Sequence, residues 1–220
     1  MERAELLRKL AETLAEQDVG HPLRVGVDGV CGSGKTTFAG ALVDQLAATG
    51  RQVIRLESEG FHHVRAARYR QGKESPRGYC EDAFDFESLR LLALEPLGPG
   101  GSLRYAHHIH DLETDEFLPK WADSAQDAIV VFDATFIQRD RLRESWDEEI
   151  FLDVPRYRAV DRGEARDTER MGGEQSARDA YEARYMAACD IYLAEQAPRT
   201  KASIVVDNED PLLPRLAAEF

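Results

Sequence analysis

One stretch constrains the fold more than any other. Residues 23–27 form a short apolar run, glycines follow at 29, 32 and 34, Lys35-Thr36 closes the cluster, and residues 36–48 have helical character. The segment Gly29-Val30-Cys31-Gly32-Ser33-Gly34-Lys35-Thr36 satisfies the spacing GxxxxGK[ST] in full, and it lies in the strand–turn–helix context that turns the pattern into a site. Glycines let the backbone wrap closely around a phosphate with its N–H groups pointing inward. The N-terminus of the helix that follows adds partial positive charge. Lys35 has the reach for the β- and γ-phosphates of a nucleotide, and the Thr36 hydroxyl suits Mg2+. A glycine turn that merely caps a helix is the bland alternative, and the complete motif in this context speaks against it. The expected ATP contacts are therefore Gly29, Cys31, Gly32, Ser33, Gly34, Lys35, Thr36 and Thr37, with Thr36 also a metal ligand.

The rest of the chain supplies a sheet for this loop. Residues 3–17 carry Leu6, Leu10 and Leu14 four apart with Leu7 beside them, an amphipathic helix. Residues 52–56, 128–132, 150–154 and 203–206 read as further apolar strands. Between them, helices are expected over 86–94, 156–171 (stopped by Gly172-Gly173) and 177–195. Apolar strands separated by helices imply a parallel sheet covered on both faces. The expectation is one P-loop NTPase domain over 1–220, a three-layer α/β/α fold with a five-stranded parallel sheet. Residues 57–82 are polar, basic and aromatic, more like a functional loop region than core.

Composition narrows the ligands. The 220 residues carry a net charge of −13, so the surface as a whole repels nucleic acid and anionic membranes. No apolar run approaches the ~20 residues of a membrane span, and the N-terminal residues lack a hydrophobic signal core. Cys31, Cys80 and Cys189 are far apart and show no CxxC spacing, which supports neither a disulfide framework nor a zinc site. A reducing cytoplasm is the expected setting. His107, His108 and His110 lack metal-site spacing and do not suggest zinc. The basic residues are bunched, at Arg65, Arg68, Arg70, Lys73 and Arg77 and again at Arg156, Arg158, Arg162, Arg166 and Arg170. Cationic clusters inside an acidic protein suggest small anionic ligands, and local ion pairs are their alternative use.

Phosphate loops serve several classes. A GTPase would want a base-reading NKxD motif, and Thr200-Lys201-Ala202-Ser203 lacks the aspartate. A transporter-type ATPase is loosely suggested by 171–175, but Asp190-Ile191-Tyr192 is a poor buried strand and no apolar run precedes its acid. Small-molecule kinases fit better. Ser58-Glu59-Gly60-Phe61-His62 follows the second strand, then come Asp82-Ala83-Phe84-Asp85, Tyr105 with His110, Val130-Val131-Phe132-Asp133, Arg162 with Arg166-Asp167 and Arg170, and finally Pro198 with 202–207. This ordered set resembles the uridine kinase/phosphoribulokinase family, especially the bacterial uridine kinase-like proteins, from about Arg24 to Asn208.

The resemblance implies transfer of the γ-phosphoryl of ATP, with Mg2+, to a hydroxyl of a small-molecule acceptor, in the first instance a uridine- or cytidine-like nucleoside. It implies an acceptor-side insert over about 57–127 and a lid over about 156–176. Glu59 stands where the family has a catalytic aspartate, and Lys35, Arg162 and Arg166 complete the catalytic set. Asp133, followed by Ala134 where the family usually has Glu-Gly, is the second metal candidate. The acceptor is expected among His62, Arg65, Tyr69, Tyr105 and His110. Tyr79 occupies the position of the family's ribose-gripping aspartate, with only Glu81 nearby. That departure, with the basic run 65–77, leaves open a phosphorylated or acidic acceptor such as a phosphosugar or a pantothenate-like molecule, or a nucleotide-binding protein with weak catalysis.

Overall fold

The computed structural model describes residues 2–217. Helix α1 (Arg3–Ala15) buries Leu6, Leu7, Leu10, Ala11 and Leu14, the stripe its spacing requires. It is followed by β1 (Leu23–Gly29), α2 (Lys35–Ala47) and β2 (Val53–Glu57). A 3-10 turn over Ser58–Phe61 leads into α3 (Arg65–Arg68), α4 (Pro76–Asp82) and α5 (Phe86–Leu89). Ser75 caps α4 by accepting from the Gly78 N–H at 3.0 Å, and Asp85 caps α5 by accepting from the Ser88 N–H at 2.9 Å. The chain then forms β3 (Arg104–Asp111), β4 (Glu116–Asp123), β5 (Ile129–Asp133) and β6 (Glu148–Asp153). Helix α6 (Arg156–Met171) ends at Gly172, which adopts φ 83°. Helix α7 (Glu174–Ala180) passes through a wider turn, Tyr181–Met186, into α8 (Ala187–Gln196). Then come α9 (Pro198–Lys201), β7 (Ile204–Asp207) and β8 (Arg215–Leu216).

The main sheet has the order β2-β5-β1-β6-β7-β8. Its first five strands are parallel, and β8 pairs antiparallel with β7. The five expected parallel strands are all present, and the two-residue β8 is an addition that a run so short does not announce. Alternation along β5 shows that both faces are covered: Ile129 and Val131 join α1 and α2 in one apolar layer, while Val130 and Phe132 join Phe61, Phe136, Trp146 and Tyr192 in the other. The register sets Val27 opposite Asp133 and Glu57 opposite Asp133, so the carboxyl ends of β1, β5 and β2 lie side by side. Ligands of open parallel sheets gather outside such ends.

Within the segment 57–127, residues 104–123 form an antiparallel hairpin, with register shifts between Ala106 and His108 and between His108 and His110. The expected helix over 177–195 is divided by the wide turn at Tyr181–Met186.

Candidate active site

The phosphate loop leaves β1 at Gly29 and enters α2 through Gly34, whose φ of 89° is left-handed. At Gly32, with φ 80°, an added Cβ would lie 2.1 Å from the Ala159 carbonyl oxygen of α6. Glycine there is what permits α6 to pass over the loop. The far side is tied by Asn208, after β7, whose Nδ2 donates to the Ser33 carbonyl at 2.9 Å. The Lys35 ammonium bridges the Gly29 and Val30 carbonyls at 3.0 and 2.9 Å, which holds it over the loop. Ser33 is buried, and Thr37 accepts from the Arg3 guanidinium through its carbonyl at 2.9 Å. Cys31 is also buried; its N–H donates to the Cys189 sulfur at 3.4 Å, and its own sulfur lies 3.7 Å from the Tyr79 hydroxyl and 3.8 Å from Thr135 Oγ1. Hydrogen bonding from Cys189 and the charge of Lys35 pull the Cys31 thiol down to about 6, against its burial.

Beneath the loop lies a carboxylate that motif reasoning missed. Asp28 is fully buried in β1. Its Oδ1 accepts from the Gly29 N–H at 2.7 Å, and its Oδ2 accepts from the Tyr192 hydroxyl and, at 3.3 Å, from Gln138 Nε2. Burial raises its pKa to about 6, with these donors and Lys35 pulling the other way. The available signal was an acid inside an otherwise apolar strand directly before the motif.

At the mouth of the loop, the Thr36 hydroxyl donates to Asp133 Oδ2 at 2.8 Å, and Asp133 Oδ1 pairs with Arg55. The two residues meet because β5 runs beside β1. Among the described residues no group of three or more His, Cys, Asp or Glu could hold a metal alone. A magnesium ion shared with phosphate oxygens needs only one or two protein oxygens. Thr36 and Asp133 fit that role, with Asp133 partly neutralised by Arg55.

The loop opens into a cleft of about 820 Å³. Lys35, Thr36, Glu59, His62, Tyr69 and Arg166 line it as the sequence implied. Glu59 is exposed on the 3-10 turn after β2. His62 lies on Phe84, ring centroids 4.6 Å apart, and burial lowers its pKa to about 4, which leaves it neutral near pH 7. Arg166 donates to Asp167 at 2.9 Å and to the Tyr181 hydroxyl at 2.8 Å. Arg170 shares Asp167 at 3.2 Å. Gly163 makes this arrangement possible, since a Cβ there would sit 2.0 Å from the Tyr181 ring.

Other expected residues stand apart from the cleft wall. Tyr105 and His110 are buried in the hairpin, and His110 Nε2 lies 3.2 Å from Asp115. Asp115 in turn accepts from the Arg65 N–H at 2.8 Å, while the Arg65 residue itself is exposed and outside the cleft. Arg162 donates to the Asn208 and Glu209 carbonyls at 3.1 and 2.6 Å. It lines a separate, smaller recess of about 310 Å³ on the other side of the loop, with Phe38, Arg166, Asn208, Pro211 and Leu212. The cleft also contains Arg68, Tyr79, Arg184 and Tyr185, of which Arg184 and Tyr185 went unremarked in the sequence.

No family model matches the chain. Two curated relatives do: a uridine kinase of Leuconostoc citreum (strain KM20), 27% identical over 138 residues, 60% of this chain and 62% of that protein, and a uridine kinase of Lactiplantibacillus plantarum, 24% identical over 147 residues, 64% and 66% respectively. The chain thus spans just under two thirds of the length of the curated relatives it matches. Among solved structures, one described as a possible uridine kinase from Bacillus stearothermophilus aligns with TM-score 0.69 and 25% identity over 92% of this chain and 96% of that one. A D-glycerate 3-kinase from Cryptococcus neoformans aligns with TM-score 0.62 over 97% and 98%, at 13% identity, a likeness of fold alone. The parallel sheet, the loop and these neighbours define a P-loop NTPase of three-layer α/β/α architecture. Within that class the chain is similar to uridine kinase-like proteins, at low identity to its named relatives.

Proposed function

We propose that this protein transfers the γ-phosphoryl of ATP to a hydroxyl of a small molecule bound in the 820 Å³ cleft. The observation that carries the reading is that Lys35, Thr36 and Glu59 line one cavity, with the Thr36 hydroxyl donating to the buried Asp133 carboxylate behind it. The triphosphate lies along the loop, where Lys35 exchanges the Gly29 and Val30 carbonyls for phosphate oxygens. The recess lined by Phe38, Pro211 and Leu212 takes the base. Thr36 and Asp133 would hold Mg2+, which would supply charge neutralisation for the phosphate oxygens. Arg166 and Arg170, aligned by Asp167, stabilise the charge that develops on the equatorial oxygens. Glu59 orients the acceptor hydroxyl and takes its proton.

A nucleoside is one acceptor supported by the names of the relatives. The rings of Tyr69, Tyr79 and Tyr185 offer a planar base a stacking surface, in place of the buried Tyr105 and His110. No helix among the described residues is long and apolar enough to cross a membrane. The proposed setting is the cytoplasm, where Cys31, Cys80 and Cys189 stay reduced.

The test is acceptor-dependent ADP release across nucleosides, sugars, phosphosugars and sugar acids, run beside Glu59→Gln. That variant is nearly isosteric but cannot take a proton, so ATP-analogue binding should persist while turnover falls ~10²-fold or more. Undiminished turnover in Glu59→Gln would remove the carboxylate from the reaction. Nucleotide binding without product for any acceptor would make the protein a nucleotide-binding module.

A further inference from the structure

The cationic side chains of the cleft are not all accounted for by a triphosphate. Lys35, Arg68, Arg166, Arg170 and Arg184 line it against only two carboxylates, Glu59 and Asp167, in a chain whose net charge is −13. Arg166 and Arg170 share Asp167 beside the loop. Arg184 is placed differently. Its guanidinium lies 5.0 Å from the Tyr79 ring centroid, 5.1 Å from Tyr185 and 6.0 Å from Tyr69. It donates to the Tyr185 hydroxyl at 3.3 Å, its Nε is buried without a partner, and no carboxylate among the described residues lies within ion-pair distance of it. Arg68, from α3, is mostly buried, 3.5 Å from Asp115, and its Nε is also buried and unpartnered.

We propose that the acceptor carries an anionic group, a phosphate or a carboxylate, and that Arg184, held among Tyr69, Tyr79 and Tyr185, reads that group together with Arg68. The inference rests on the kinase reading above and names its substrate class. A guanidinium presents five donors in a rigid plane, and Arg184 engages one of them with Tyr185. Aromatic faces fix the plane without neutralising the charge, whereas a carboxylate partner would cancel it. Such a cage leaves a preorganised cation in the cleft. Tyr79 forms part of the cage and brings no negative charge that would repel an anionic acceptor.

A cage that only clamps α3 and α4 to the turn before α8 would show the same contacts, so the test reads charge discrimination. With a non-hydrolysable ATP analogue and Mg2+ saturating the loop, ribose 5-phosphate and ribose are titrated in parallel by calorimetry, and D-glycerate and glycerol likewise. The charged member of at least one pair should bind roughly 10- to 100-fold more tightly than its neutral counterpart, the range for a charge-assisted contact. The pair that shows the preference tells phosphate from carboxylate. Arg184→Gln should abolish the preference and leave analogue affinity unchanged, and Arg184→Lys should keep part of it. Absence of preference in both pairs, or a preference that survives Arg184→Gln, overturns the inference. ADP release with a neutral acceptor but no charge preference would sink this proposal alone. Charge-selective binding without phosphoryl transfer to any acceptor would sink the kinase reading and leave the anion site standing.

Discussion

Replacing Tyr192 with Phe tests the carboxylate buried beneath the phosphate loop. Asp28 is fully buried, and burial lifts its pKa from the ordinary carboxylate value to about 6. Because the folded pKa lies above the unfolded one, the folded protein retains a proton that the unfolded chain releases between about pH 4 and about pH 6. The stability associated with Asp28 is therefore greatest below that window and declines as pH rises through it. Two units of displacement correspond to about 3 kcal/mol across the window. In Tyr192→Phe, Asp28 Oδ2 loses the hydroxyl that donates to it. A hydrogen bond to a charged group is worth ~1.5–3 kcal/mol, so the folded pKa should climb a further one to two units, to roughly 7–8. The Gln138 N–H also loses its acceptor, 2.9 Å away in the native protein, but that loss is the same at every pH. Glu149 titrates nearby, raised to about 7 by burial and, beyond the opposing Arg143, by the charge of Asp28. Glu149→Gln in both backgrounds removes its share. Urea unfolding of the paired proteins should then show a destabilisation larger by ~1.5–3 kcal/mol at about pH 8.5 than at about pH 5. Equal destabilisation at the two pH values would show that Asp28 does not hold a raised pKa through Tyr192.

The loop itself offers two sharper perturbations. Gly32→Ala places a Cβ 2.1 Å from the Ala159 carbonyl oxygen at a φ of 80°, so α6 must shift; thermal unfolding should report a loss of ~1–3 kcal/mol or more, and nucleotide affinity should fall with it. Thr36→Ala removes the hydroxyl that donates to Asp133; the Mg2+ concentration for half-maximal turnover should rise about 10-fold, and an unchanged Mg2+ requirement would take Thr36 out of the metal site.

The phosphate-loop fold was legible because its determinants are local. Eight consecutive residues, the strand before them and the helix after them carry the loop, and burial on both faces makes the parallel strands continuous apolar runs. The hairpin β3–β4 was not legible for the opposite reason. Phe117, Leu118 and Trp121 point large apolar groups outward, each at least 44% exposed, and the register shifts around His108 interrupt the two-residue period. In α6, Arg158, Arg162, Arg166 and Arg170 recur every four residues without sharing one face. Each step of four residues advances about 40° around a helix, so a series from Arg158 to Arg170 turns by roughly a third of a circle. Arg166 and Arg170 reach the cleft, Arg162 turns to the carbonyls after β7, and Arg158 lies 3.8 Å from Glu209. Local ion pairing takes up Arg170, which pairs with Asp167 three residues before it, while Asp161 pairs with Arg178 on the next helix.

The acceptor side depends on contacts that no window of sequence contains. Glu59 comes from the turn after β2, Arg68 and Tyr69 from α3 and its end, Tyr79 from α4, and Arg184 and Tyr185 from the turn before α8. Arg184 meets Tyr69 and Tyr79 across more than a hundred residues of chain. Glu59 and Tyr69 were candidates from the sequence, whereas Arg184 and Tyr185 on their own read as ordinary solvated side chains; together with Arg68 and Tyr79 they give the cleft a cationic, aromatic wall. This division has a chemical consequence. Changes confined to the loop 29–37 should alter nucleotide handling for every acceptor alike. Changes at Arg68 or Arg184 should alter which acceptor is used while the nucleotide constants stay where they are.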